Sequence, residues 1–167
     1  FKNKLKMSIQ EIKDEYKDTE GKPEVKQRIR QKQREIAMGS MLDAISEADV
    51  IVTNPSHFAV ALSYAVGTDE APKVVAKGAD FMAKKIRERA EESGVIVFEQ
   101  PQLARALYFT TEINHDIPRA LFEAVAEVIA YVFKLNSFSG NGQRAKKPNL
   151  KIPSEMNFDE SGKKLNE

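Results

Sequence analysis

The stretch Val50–Tyr64 reads "VIVTNPSHFAVALSY". Val50–Thr53 is β-branched throughout, and Phe58–Tyr64 alternates apolar with small residues. Both are strand signals, bounded here by a turn cluster. Two such runs separated by Asn54-Pro55-Ser56-His57 predict an antiparallel hairpin whose strands are buried. The turn is the unusual part, because it carries two side chains capable of chemistry and a proline.

The hairpin sets the frame for the rest of the chain. A polar loop, Ala65–Ala71, leads to a third strand at Lys73–Lys77. A helix over Ala79–Ser93 follows, with Phe81, Met82, Ile86 and Ala90 on one face and Gly94 as its left-handed cap. Val95–Phe98 is a fourth strand. Strand–helix–strand over this length predicts a parallel pair with a right-handed crossover. Pro101 and Pro118 each open a further helix, at a position where no backbone donor is needed. The last helix, to about Leu135, has a wide apolar arc including Leu121, Phe122, Val125, Ile129 and Phe133. The fold expected is therefore α/β: a small four-stranded mixed sheet, hairpin plus right-handed βαβ, surrounded by about four helices.

The flanks differ in composition. Ser8 and Glu11 form a capping box before a thin stripe of Ile9, Ile12 and Tyr16. Gly21-Lys22-Pro23 interrupts it, and a second helix runs from Pro23 to about Leu42 with sparse apolar positions at Val25, Ile29 and Ile36. Phe1–Glu35 holds 11 Lys/Arg against 7 Asp/Glu. That excess fits a solvated helix, or a juxtamembrane arm of the kind enriched in lysine and arginine on the cytoplasmic side. From Asn136 the composition turns to Ser, Gly, Asn, Lys and Pro. The expected organisation is a charged linker at 1–44, a compact domain at 45–138, and a disordered tail at 139–167.

Bulk numbers narrow the function. The 167 residues carry 26 Lys+Arg against 25 Asp+Glu and no cysteine. Charge balance gives no overall case for nucleic acid. The lack of cysteine excludes disulfides, thiol nucleophiles and thiolate metal sites. No apolar run is long enough to span a bilayer. The chain opens on Phe1 without a signal-peptide pattern and reads as a piece of a longer protein.

Asn54-Pro55 is a chemical object in its own right. Ordinary asparagine ageing needs the following backbone N–H, which proline lacks. The reverse attack stays open: the Asn54 side-chain nitrogen adds to its own backbone carbonyl carbon. A succinimide forms, and Pro55 leaves as a new N-terminus. Nucleophile and electrophile share one residue, so geometry sets the rate. Nearby donors can stabilise the oxyanion, and His57 can accept or donate the proton in flight. Ser56 can orient the turn through its hydroxyl. Most Asn-Pro pairs are plain turns. The full Asn-Pro-Ser/Thr-His string is far rarer, roughly one chance in a thousand for a chain this long at average composition. A Ser56–His57 hydrolase pair is a competing reading; it needs a carboxylate, for which Asp49 and Asp69 are the sequence neighbours. A third reading is a basic nucleic-acid or lipid module built on residues 1–35.

"NPSHFAVALSY", "APKVVAKGAD", "PQLARALYFTTEIN" and "IPRALFEAVAEVIAYVF" together resemble the cytoplasmic domain of the FlhB/YscU family of type III secretion export-switch proteins, over about residues 6–138. "APKVVAKG" favours the flagellar branch over the injectisome branch. Ser56 stands where the family has threonine, and "AMGSML" (Ala37–Leu42) stands where it often has an arginine cluster. The resemblance implies a membrane protein whose domain on the cytoplasmic face of the bacterial inner membrane cleaves itself once between Asn54 and Pro55. Catalysis would rest on Asn54, Pro55, Ser56 and His57, in the manner of an asparagine peptide lyase and not a turnover enzyme. It implies no cofactor, no metal and no nucleic acid. The two fragments would stay associated and help switch export from rod and hook to filament substrates. The implied partners are other export-apparatus components, a hook-length-control protein and the exported flagellar subunits. It also implies a recognition surface for early substrates at Ala71 and Pro72, with Ala126 and Ile129 as further candidates.

Overall fold

The computed structural model describes residues 23–55, 57–65, 67–137 and 147–165. The expected capping box at Ser8 and the hydroxyl of Ser56 lie outside them. Helix α1 (Pro23–Ile45) begins on its proline. Its residues to Ser40 belong to an N-terminal unit, and those from Met41 to the compact unit. Ile29 and Ile36 are exposed within the first, as their isolation in a charged sequence dictates.

The compact unit is built on one five-stranded sheet. Strands β1 (Val50–Asn54), β2 (Phe58–Ser63), β3 (Lys73–Ala79), β4 (Val97–Glu99) and β5 (His115–Asp116) lie in the order β4-β1-β2-β3-β5. β1 and β2 form the expected antiparallel hairpin, with Asn54 opposite Phe58 and Val50 opposite Leu62. The α/β class holds, with one strand more than expected. The expected direct pairing of the third and fourth strands does not form. β4 runs parallel to β1 instead, and β3 is flanked by β2 and β5. The two-residue β5 takes the edge of β3, so β4 pairs at the open side of β1.

Strand alternation sends side chains to two cores. Val50, Val52, Phe58, Val60, Leu62 and Val74 join α3 (Pro101–Thr110) and α4 (Phe122–Ser137) on one face. Ile51, Ala59, Ala61 and Ala76 meet Ile45 and helix α2 (Phe81–Ser93) on the other. Both faces of β1 are thus covered, which fits the unbroken apolar run Val50–Val52 at its start. α2 approaches closely because Gly78 lies beneath it; a Cβ there would collide with Met82. Gly94 closes α2 in the expected left-handed conformation. Phe81 departs from its expected place on the buried face and is 68% exposed. The buried arc of α2 centres on Ala83, Ile86 and Ala90, which turns Phe81 outward beneath the Lys85 ammonium.

The C-terminal segment departs from a further expectation. Residues 147–165 pack against the domain, within the stretch expected to be a disordered tail. Leu150 and Phe158 enter the main core, and Ile152 and Met156 pack beside it. Arg105 Nε donates to the Phe158 carbonyl at 2.7 Å. Four apolar side chains within "NLKIPSEMNF" suffice to dock a segment whose average composition is polar.

Candidate functional site: the Asn54–His57 turn

The site is the tip of the β1–β2 hairpin. The His57 backbone N–H donates to the Asn54 carbonyl at 3.0 Å, closing a four-residue turn. That carbonyl is the electrophile of the cyclisation chemistry, so a donor is already aimed at the oxygen on which charge would develop. Asn54 itself is 6% exposed, and its Nδ2 is buried without a hydrogen-bond partner among the described residues. An amide nitrogen without a partner has no hydrogen bond to break before it moves. Its burial is costly, at about 1–3 kcal/mol for an unsatisfied polar group.

His57 is more open, with its side chain 43% exposed. Its ring lies between two carboxylates: Nδ1 is 3.9 Å from Asp80 Oδ1, and Nε2 is 3.3 Å from Glu160 Oε1. Sequence reasoning named neither. Asp80 follows β3 and precedes α2, and its signal was the "KGAD" string, in which a glycine and an aspartate directly precede a helix. Glu160 belongs to the docked C-terminal segment and has no sequence signal. It is presented by a tight loop in which Asp159 Oδ1 accepts from the Ser161 hydroxyl (2.7 Å), the Lys163 N–H (2.8 Å) and the Ser161 N–H (3.0 Å). The Ser161 hydroxyl, followed by the Lys163 amide, holds the Asp159 carboxyl below its ordinary value.

The hydrolase reading loses its carboxylates. Asp49 Oδ2 accepts the Tyr64 N–H at the base of the hairpin, and Asp69 lies in the loop beyond β2. Neither is at the tip with His57. The four recognition candidates do converge. Ala71, Pro72, Ala126 and Ile129 line one apolar groove of about 490 Å³, with Phe122 and Phe133. The two phenylalanines, expected in the core, are partly exposed here because the loop before β3 leaves the groove open. Groove and turn lie at opposite ends of β2. Among the described residues, no group of acidic or histidine side chains could hold a metal ion. No described helix is long and apolar enough to cross a membrane.

Comparison with known proteins places this arrangement. The FlhB HrpN YscU SpaS family profile matches residues 1–132. The chain belongs to that family. It is 50% identical over 157 residues to the flagellar biosynthetic protein FlhB of Salmonella typhimurium, covering 93% of this chain and 41% of that protein. Against FlhB of Bacillus subtilis it is 48% identical over 134 residues, covering 80% and 37%. The chain thus spans about two-fifths of the length of these relatives. The crystal structure of the cytoplasmic domain of FlhB from Shewanella putrefaciens superposes with a TM-score of 0.67 at 43% identity, covering 72% of this chain and 95% of that one. An Asn-to-Ala form of the EscU C-terminal domain gives 0.53 at 36% identity, covering 55% and 92%. The family is thus shown from both sequence and fold, with flagellar relatives among the matches.

Proposed function

We propose that this chain is the cytoplasmic domain of a flagellar type III export protein that cuts itself once, between Asn54 and Pro55. The observation that carries the reading is the state of Asn54: a buried Nδ2 with no described partner, beside a carbonyl already polarised by the His57 N–H. Nδ2 adds to the Asn54 carbonyl carbon, and the oxyanion forms against that N–H. The carbon–nitrogen bond to Pro55 then breaks. The proton lost from Nδ2 passes to the proline nitrogen, with His57 as carrier. The products are a C-terminal succinimide and a free Pro55 amine. Asn54 is consumed, so there is no turnover and no cofactor is needed. Ser56 shapes the turn in this reading.

The parent protein sits in the bacterial inner membrane with this domain on the cytoplasmic face. The cut contributes to changing export from rod and hook to filament substrates. Other export-apparatus components, a hook-length-control protein and exported subunits are its partners, and the Ala71–Pro72–Ala126–Ile129 groove receives an apolar segment of early substrates. Mass spectrometry of the purified chain tests the chemistry. Two fragments dividing at Asn54/Pro55 are expected from wild type, and one intact chain from Asn54→Ala. An Asn54→Ala chain cut at the same bond would exclude cyclisation.

A further inference from the structure

Asp80 has φ 51° and ψ −111°. Glycine enters this region freely, whereas a residue with a Cβ is strained in it. The usual reasons for an aspartate before a helix do not apply. Its carboxylate makes no capping hydrogen bond to α2. It is not a packed side chain either, being 80% exposed.

What the conformation achieves is a double hold on His57. The Asp80 N–H donates to the His57 carbonyl at 2.8 Å, while the carboxylate lies 3.9 Å from the ring Nδ1. The Asp80 carbonyl accepts the Lys84 N–H at 3.1 Å, which ties this hold to the first turn of α2. Backbone and ring of His57 are thus gripped from one residue, and Glu160 faces the remaining nitrogen.

We propose that Asp80 is a positioning residue for His57, held in a glycine-like backbone conformation because its carboxylate orients the imidazole at the tip of the hairpin. The inference rests on the cyclisation reading. The hold fixes the ring at the hairpin tip, where His57 acts as the carrier that takes the proton from Asn54 Nδ2 and returns it to the proline nitrogen. Glu160 stabilises the imidazolium in between.

The test follows the cut by mass spectrometry after refolding the full chain from denaturant, with melting curves beside it. Asp80→Gly relaxes the backbone, so it should melt no lower than wild type and yet cut about two- to fivefold more slowly, the scale of an exposed charge contact. Asp80→Asn, which keeps the size and backbone strain of the aspartate but not its charge, should slow the cut similarly. In a His57→Ala background Asp80→Gly should change nothing further, because its target is gone. A wild-type rate in both Asp80 variants overturns the proposal, as does an equal slowing with and without His57. A wild-type chain that never divides at Asn54/Pro55 overturns the cyclisation reading instead.

Discussion

A buried primary amide ordinarily has hydrogen-bond partners for its nitrogen, because leaving it bare costs free energy that a small domain can rarely spare. Asn54 Nδ2 has none among the described residues, at a position where that would be chemically useful. Two substitutions separate its neighbours' roles. In the proposed cyclisation, His57→Ala removes the proton carrier but neither the nucleophile nor the backbone N–H on the carbonyl. The cut should therefore slow, by up to the 10²–10⁴-fold range of a general acid–base, and not vanish. Pro55→Ala should also slow it, since the turn loses its fixed φ and ordinary attack by the backbone nitrogen reopens. A time course by mass spectrometry checks both, and an unchanged His57→Ala rate would leave the ring a structural role. The turn was legible in the sequence as a candidate because, in the proposed cyclisation, attacking and attacked atoms belong to one residue. Asp80 and Glu160 were not legible, since they reach His57 from other elements through tertiary packing.

Strands and helices were read from periodicity to within a few residues, but periodicity does not state partners. β1 is apolar on both faces whether it pairs with β4 or not, so the neighbour that completes the sheet had to come from the structure. β5 has two residues and no period at all. The C-terminal segment misled for another reason: composition averages over Ser, Gly, Asn and Lys, whereas docking depends on a few apolar side chains in the right places. Phe158 meets Phe109 with ring centroids 5.9 Å apart. Phe158→Ala should weaken docking by up to about 3–5 kcal/mol and raise amide exchange across 147–165 while β1 and β2 stay protected. The loop that presents Glu160 has its own pH dependence. With the Asp159 carboxyl held below 3.8 by the Ser161 hydroxyl and Lys163 amide, its contribution is complete above pH 3.8 and is lost as pH falls through the lowered folded value. The amide shifts of Ser161 and Lys163 should follow that single step, and Asp159→Asn should abolish it.

For the whole molecule, the cut must be survivable if it is to act as a switch. Cleavage after Asn54 leaves β1 on one fragment and β2 to β5 on the other. β1 is paired on both sides, to β2 and β4, and Ile45, Val50, Ile51 and Val52 are fully buried. Exposing four such side chains costs roughly 6–12 kcal/mol as an upper estimate. The fragments should accordingly co-elute on gel filtration and part only in denaturant. What the cut would change is local: Pro55 and His57 gain freedom, and a new amine appears two residues before His57, whose ring faces Asp80 and Glu160. A partner reading that surface meets two different faces on one fold. On this reading, cells carrying Asn54→Ala should export hook-type substrates and fail to change to filament-type ones, while the isolated variant domain melts close to wild type. The melting measurement is needed because the same export defect would follow from misfolding. It is expected to stay high, since Asn54→Ala removes a buried amide nitrogen with no hydrogen-bond partner among the described residues and leaves every strand pair of the hairpin in place. A strain that changed over normally with an uncut domain would make the cleavage incidental, and the switch would then have to be sought elsewhere, beginning with the groove at the far end of β2.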